Sequence, residues 1–350
     1  MRSFFPRRSS VHRARNGRLF SGPSAAFNLL ETLVTVVIVV AIMLIILEVV
    51  TGLERSWKSN ATDPFAEAGS AFSTMTQNLA AATLEPYQDF ANSSGTFRTT
   101  SSSTFVPDHL TRRSDLDFIC GPGTGTNGLL SASERTTTSS AVFFLMRQGY
   151  SQTEANTGMS HLLNAMGYFI EFGNDSSAPS FLLPSIQRWR WRLKEVRQPA
   201  ESLQVFALAS SSAWVQQLTS SETTTPALAE NIIALVILPE RAASDSGTPL
   251  SSDFRYDSRD SSNPLTRHQL PARLRVALMA IDETSAHVLA AQNGSNPPAL
   301  VSANLFQKAT QLDADLASLD TTLTGKKIGH RLFQRVILLP TAAWSNTPSQ

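Results

Sequence analysis

The stretch Phe27-Asn28-Leu29-Leu30-Glu31 opens directly onto an apolar run from Thr32 to Leu47. Ahead of it stands an arginine-rich head, with Arg2, Arg7, Arg8, Arg13, Arg15 and Arg18, and no acidic residue before Glu31. A lone carboxylate at the mouth of a membrane-length apolar segment is costly to bury, so its presence points to a role. From Leu29 to Val50 the segment is long enough to span a hydrocarbon core of about 30 Å, and the basic side would then stay cytoplasmic.

Three readings compete for this arrangement. A secretory signal peptide has the same basic and apolar blocks, but its peptidase cuts after the apolar region. Here the small residues Ser24-Ala25-Ala26 precede that region, and no small-x-small site follows it before Trp57. An uncleaved membrane anchor needs only the length and the charge asymmetry. The third reading places a cut between Ala26 and Phe27.

On those residues the N-terminus resembles the class III signal of type IV prepilins and pseudopilins. Ala26 holds the last leader position, where that family carries Gly, and Asn28 stands where Thr or Ser is usual. The resemblance implies cleavage before Phe27 by a prepilin peptidase/N-methyltransferase, methylation of the new amino terminus, and assembly guided by Glu31. Further segments are similar to the Verru_Chthon cassette protein C family of large prepilin-like proteins: Arg112 to Phe118, Leu162 to Gly173, Arg190 to Glu195, Leu228 to Ile233 and Leu270 to Val276. These also resemble the paired strands of larger minor pseudopilins of type II secretion.

Past the apolar run the pattern stays helical. Leu53, Trp57, Phe65, Phe72, Met75 and Leu79 recur at helical spacings to about Leu84, with Pro64 expected to kink the helix and Pro86 to end it. The remainder reads as strands between turn-rich loops: Leu116 to Cys120, Ala141 to Met146, Tyr168 to Phe172, Ile232 to Leu238, Leu274 to Ala280 and His330 to Leu339. Helices are expected at Ser160 to Met166, Glu201 to Leu218 and Pro298 to Leu323. Interspersed helices without a βαβ rhythm give an α+β class. The expected architecture is pilin-like, with a long N-terminal helix, membrane-spanning in its first half, packed on a mainly antiparallel sheet. The parts are a leader over 1–26, the helix over 27–84 and a globular head over 85–350. Two long polar loops, Asn92 to Pro107 and Glu240 to Gln269, read as interaction surface or as mobile chain.

Composition narrows the function. The chain of 350 residues has a net charge of +1, less than the leader arginines alone supply, so the rest is mildly acidic. That balance does not describe a nucleic-acid-seeking exterior. Cys120 is the only cysteine, which excludes an intramolecular disulfide and a cysteine-based zinc site. The histidines His12, His109, His161, His268, His287 and His330 show no metal-ligand spacing and read as surface or satisfied polar residues. Gly121 to Gly128 is glycine-rich but lacks the Lys-Ser/Thr end of a phosphate loop. Asp253, Asp257 and Asp260 have calcium-capable carboxylates, but Arg255 and Arg259 interleave them and the spacing is not that of an EF-hand. On a strand, Arg188, Arg190, Arg192 and Lys194 share one face and Trp189, Trp191 and Leu193 the other. The cationic row is then either a solvated face or a stripe for DNA or an acidic partner.

The sequence thus points to a minor pilin or pseudopilin subunit of a type IV pilus or type II secretion-like filament. Its processing residues are Ala26 and Phe27 and its assembly residue is Glu31. It has no catalytic, cofactor or metal residues. Its partners would be other pilin subunits, the peptidase and inner-membrane lipid, with nucleic acid disfavoured. Its place would be the inner membrane, single-pass, with the head in the periplasm or on an extracellular filament. The alternative is an uncleaved membrane-anchored binding protein for a ligand or DNA that enters no filament.

Overall fold

The computed structural model describes residues 34, 36–43, 63–99, 104–124, 128–130, 139–174, 188–206, 211–220, 225–242 and 248–342. The chain divides into two compact units, Met1–Thr62 and Asp63–Gln350. In the first, Val34 and residues 36–43 are helical, and every one of them is exposed.

The second unit is mainly β. Its described residues form eleven strands in three sheets. These are β1 (Tyr87–Ala91), β2 (His109–Arg113), β3 (Phe118–Pro122), β4 (Ser140–Arg147), β5 (Leu163–Gly173), β6 (Arg190–Gln198), β7 (Ala227–Glu230), β8 (Ile232–Glu240), β9 (Tyr256–Asp257), β10 (Arg273–Ile281) and β11 (His330–Leu338). The helices are α1 (Ala66–Ala80), α2 (Ser211–Ser220), α3 (Glu283–Asn293) and α4 (Leu312–Gly325). The sheets run β7-β6-β5-β4-β3-β9, β11-β10-β8 and β1-β2, and each pairing in them is antiparallel.

Two expectations are corrected here. The long N-terminal helix packed on a head is not observed: among the described residues the helices are short and the architecture is sheet-dominated. The amphipathic stripe exists, but on a separate 15-residue helix with its own start at Phe65, where the backbone is not yet helical. Pro64 lies in the turn that begins this helix, where its missing N–H costs nothing, so it starts the element instead of kinking one. The membrane-spanning, single-pass inner-membrane reading also falls, because no helix among the described residues is long and apolar enough to cross a membrane.

The core explains the strand sequences. Helix α1 buries Ala68, Ala71, Phe72, Met75, Thr76 and Leu79, the stripe of an i, i+3, i+4 repeat. It packs on β7, β10 and β11, with Phe72 and Phe333 rings 5.8 Å apart. Asn78 of the same helix donates to the Tyr168 hydroxyl at 2.7 Å, tying α1 to β5. On one face of the large sheet Phe144 stacks with Tyr168; on the other, Phe143 meets Phe169 and Trp214 of α2. Strands β4 and β5 are therefore apolar on both faces. That removes the alternation a half-exposed strand would show, and Ser160 to Met166, expected as helix, is instead the approach to β5 and its first residues. Strand β8 lies against β4, β5 and β6, and its own outer face is covered by Leu312 and Leu316 of α4.

The long segment before β10 is not a loose loop. Phe254, Tyr256 and Ser258 are buried, and β9 adds to the edge of β3. The Tyr256 hydroxyl donates to the Gln269 carbonyl at 2.7 Å, and Ser258 Oγ both accepts from the Phe118 N–H and donates to Asp117.

Candidate functional site

The sequence-derived processing and assembly residues, Ala26, Phe27 and Glu31, lie outside the described residues. What is described beside them is the apolar helical segment. Val34, Val36, Val37, Ile38, Val39, Val40, Ile42 and Met43 are between 48% and 71% exposed, and no described residue of the segment is polar.

The cationic row of Arg188, Arg190, Arg192 and Lys194 is not a continuous solvated stripe: Arg188 is exposed, 3.7 Å from Glu230 and 3.9 Å from Glu283, but the two arginines after it are not. Arg190 and Arg192 are buried. Arg192 donates to Glu230 at 3.0 Å, to the carbonyls of Gly173 and Asn174 at 2.7 and 2.9 Å, and to that of Arg188 at 3.2 Å. Arg190 donates to Glu283 at 3.2 Å, whose other oxygen accepts from Asn231 at 2.7 Å. Partial burial would raise the Glu283 carboxyl, but the Asn231 amide and the Arg190 guanidinium hold it below the usual carboxylate range. Lys194 donates to the Thr225 carbonyl. The charges of Arg190 and Arg192 are thus spent inside the protein, clipping β6 to β7 and to the start of α3. Trp191 is buried, its ring tilted against Phe172 at 5.0 Å, while Trp189 stacks on the same phenyl ring at 5.9 Å.

Asp253, Asp257 and Asp260 do not converge on a cation. Asp253 pairs with Arg255, while Asp257 and Asp260 accept from the backbone N–H groups of Arg259 and Ser262, shaping turns. No cluster of three metal-capable side chains occurs among the described residues. Cys120 is buried, and burial pushes its thiol far above the ordinary range, so it is inert as a nucleophile. His330 binds Asp320 at 2.9 Å and His109 binds Asp108 at 3.0 Å.

His268 departs from the expectation of a satisfied histidine. Only 9% exposed, it leaves both ring nitrogens without a hydrogen-bond partner. It lines a cavity of about 510 Å³ together with Phe97, Arg113, Asp115, Arg259 and Arg267. Its backbone is fixed by a 2.7 Å bond from its N–H to the Ser258 carbonyl and adopts φ of 55°. The Phe97 ring packs edge-on against the imidazole at 5.6 Å, and the guanidiniums of Arg113 and Arg267 sit over that same ring at 4.8 and 5.4 Å. Burial, followed by the charges of Arg267, Arg112, Arg113 and Arg259, pushes the imidazole down to about 4.

The surrounding cations are unequally matched. Arg113 pairs with Asp89 at 2.7 Å. Burial opposes ionisation of Asp89, but the Arg113 hydrogen bond, the Phe90 N–H and Arg98 outweigh it and hold the carboxyl low. Arg259 donates to the carbonyls of Asp115 and Val205 at 2.7 and 2.8 Å. Arg112 spends two donors on the Arg267 carbonyl. Arg267 itself has the aromatic face of Phe97 and no carboxylate within ion-pair distance among the described residues. Segments remote in sequence build this site, so no local spacing reveals it; the only trace is the pair of dipeptides Arg112-Arg113 and Arg267-His268. No family model, curated protein or solved structure matches this chain.

Proposed function

We propose that the chain is a pilin- or pseudopilin-like structural subunit, processed before Phe27 and assembled with like subunits through its N-terminal helical segment. The observation that carries this reading is the helix over Val34 and residues 36–43, in which every described residue is apolar and exposed. A helix without a polar face needs a partner surface around its whole circumference. Packing each half-exposed Val, Ile or Met against a like helix gains about 1 kcal/mol. Side by side, such helices form a common core, which is the construction principle of a filament. The resemblance of Phe27 to Glu31 to the class III signal supplies the processing step, and the similarity to the Verru_Chthon cassette protein C family supplies the company of other pilin-like chains.

Glu31 then sets the register. A carboxylate enclosed by apolar helices costs several kcal/mol unless a cation meets it, and cleavage before Phe27 creates one, the new amino terminus of a neighbouring subunit. The function is assembly, with no reaction of its own. Cross-linking between copies in the producing cell tests it. Glu31→Ala should leave the Asp63–Gln350 unit folded and abolish copy-to-copy cross-links, and normal cross-linking of that variant overturns the register role.

A further inference from the structure

We infer that the cavity at Phe97, Arg113, Arg259, Arg267 and His268 binds a small oxyanion of the phosphate or carboxylate class, with Arg267 as its principal ligand. Of the arginines lining the cavity, Arg267 alone has no carboxylate within ion-pair distance among the described residues, and the neighbouring Arg112 is committed to the Arg267 backbone carbonyl. Arg267 therefore keeps its planar fork of donors for something else, and that geometry matches carboxylate and phosphate oxygens. The wall beneath is a buried imidazole with no partner on either nitrogen, a costly arrangement that a ligand would relieve. As a neutral ring it offers an anion one N–H donor.

The opposing charges are accounted for. Asp115 at the rim accepts from the Tyr87 hydroxyl at 3.1 Å and stands 3.7 Å from Arg113. Asp89 is shared by Arg113 and Arg98. Asp117 lies 4.0 Å from Arg259 and is saturated by other donors. The site is left with a positive excess, which disfavours a metal ion and leaves an apolar guest with nothing to satisfy Arg267 or His268. Phe97 is only half buried and rests edge-on against the imidazole.

Calorimetric titration of the full chain at low salt, with inorganic phosphate in one arm and succinate in the other, tests this. Saturable binding at one site is expected in at least one arm, and the arm that saturates names the oxyanion. Arg267→Gln should weaken it by about tenfold or more, the loss of a charge-assisted bidentate contact. Arg267→Lys, which keeps the charge and loses the fork, should weaken it by about threefold or more. Heats that never saturate in either arm overturn the proposal. So does an Arg267→Gln protein that binds like the parent chain. If that variant fails to fold, Arg267→Lys is read alone, and unchanged affinity there has the same consequence.

Discussion

Asp117 is the buried carboxylate that fastens three separate segments, and its removal has a size that follows from the geometry. Fully buried, it accepts from the Trp214 indole N–H of α2 at 2.7 Å and from the Ser258 hydroxyl at 2.8 Å, with Arg259 at 4.0 Å. Each such hydrogen bond contributes about 0.5–1.5 kcal/mol net, and a buried donor left unpaired costs about 1–3 kcal/mol more. Asp117→Ala removes both and leaves the indole N–H of a completely buried Trp214 without a partner. The expected loss is about 3–5 kcal/mol, a large share of the roughly 5–15 kcal/mol that holds a domain folded. Asp117→Asn keeps one acceptor oxygen, and Ser258 can rotate to accept from the new amide, so about half that loss is expected. Urea unfolding followed by circular dichroism measures both. A double-mutant cycle with Trp214→Phe separates the indole bond, since residues in direct contact couple by about 0.5–3 kcal/mol. A loss below about 1 kcal/mol for Asp117→Ala, or strict additivity with Trp214→Phe, refutes the reasoning.

Two further outcomes follow from buried groups. His268 is held neutral with its titration moved down from 6.5 to about 4. The unfolded chain therefore binds this proton first, so the stabilisation is fully present above about pH 6.5 and is lost as pH falls toward 4, a change on the order of 3 kcal/mol. The parent chain should lose that stability across the window, while His268→Asn, which the positive φ tolerates, should stay nearly flat there; equal slopes contradict the assignment. Gly167 on β5 lies against the Phe143 ring, where an added Cβ would collide with ring carbons. Phe143 is pinned by Phe169 and Trp214, so Gly167→Ala should cost about 1–3 kcal/mol, and an unchanged melting temperature would show that the ring has room to move.

Much of the sheet was legible in the chain because buried strands are written as short apolar runs. Ala141 to Met146, Ile232 to Leu238 and Leu274 to Ala280 lie within β4, β8 and β10. Pro239, just past the apolar run, sits inside β8, which tolerates it because β8 is at the edge of its sheet. Helix α3 lacks the amphipathic period that marks α1, and only two local signals announce it. Asp282 caps its first turn by accepting from the Ser285 N–H at 2.7 Å, and Gly294 ends it at φ of 57°. Leu163 to Met166 read as helix because a strand buried on both faces has no period of two. The fate of Arg190 and Arg192 was hidden for a different reason. Alternation assigns faces, but whether a face meets solvent depends on Glu230 and Glu283, which come from β7 and α3. The same limit applies to His268, whose arginine neighbours come from chain stretches that only the fold brings together.

The amino terminus of the chain as isolated from its native cells tests the filament reading most directly. Terminal sequencing with intact-mass measurement should find Phe27 as the first residue of the assembled protein, with residues 1–26 removed. A cross-linked or filament-associated chain that still begins at Met1 would contradict processing before Phe27, and with it the pairing of Glu31 with a neighbour's new amino terminus.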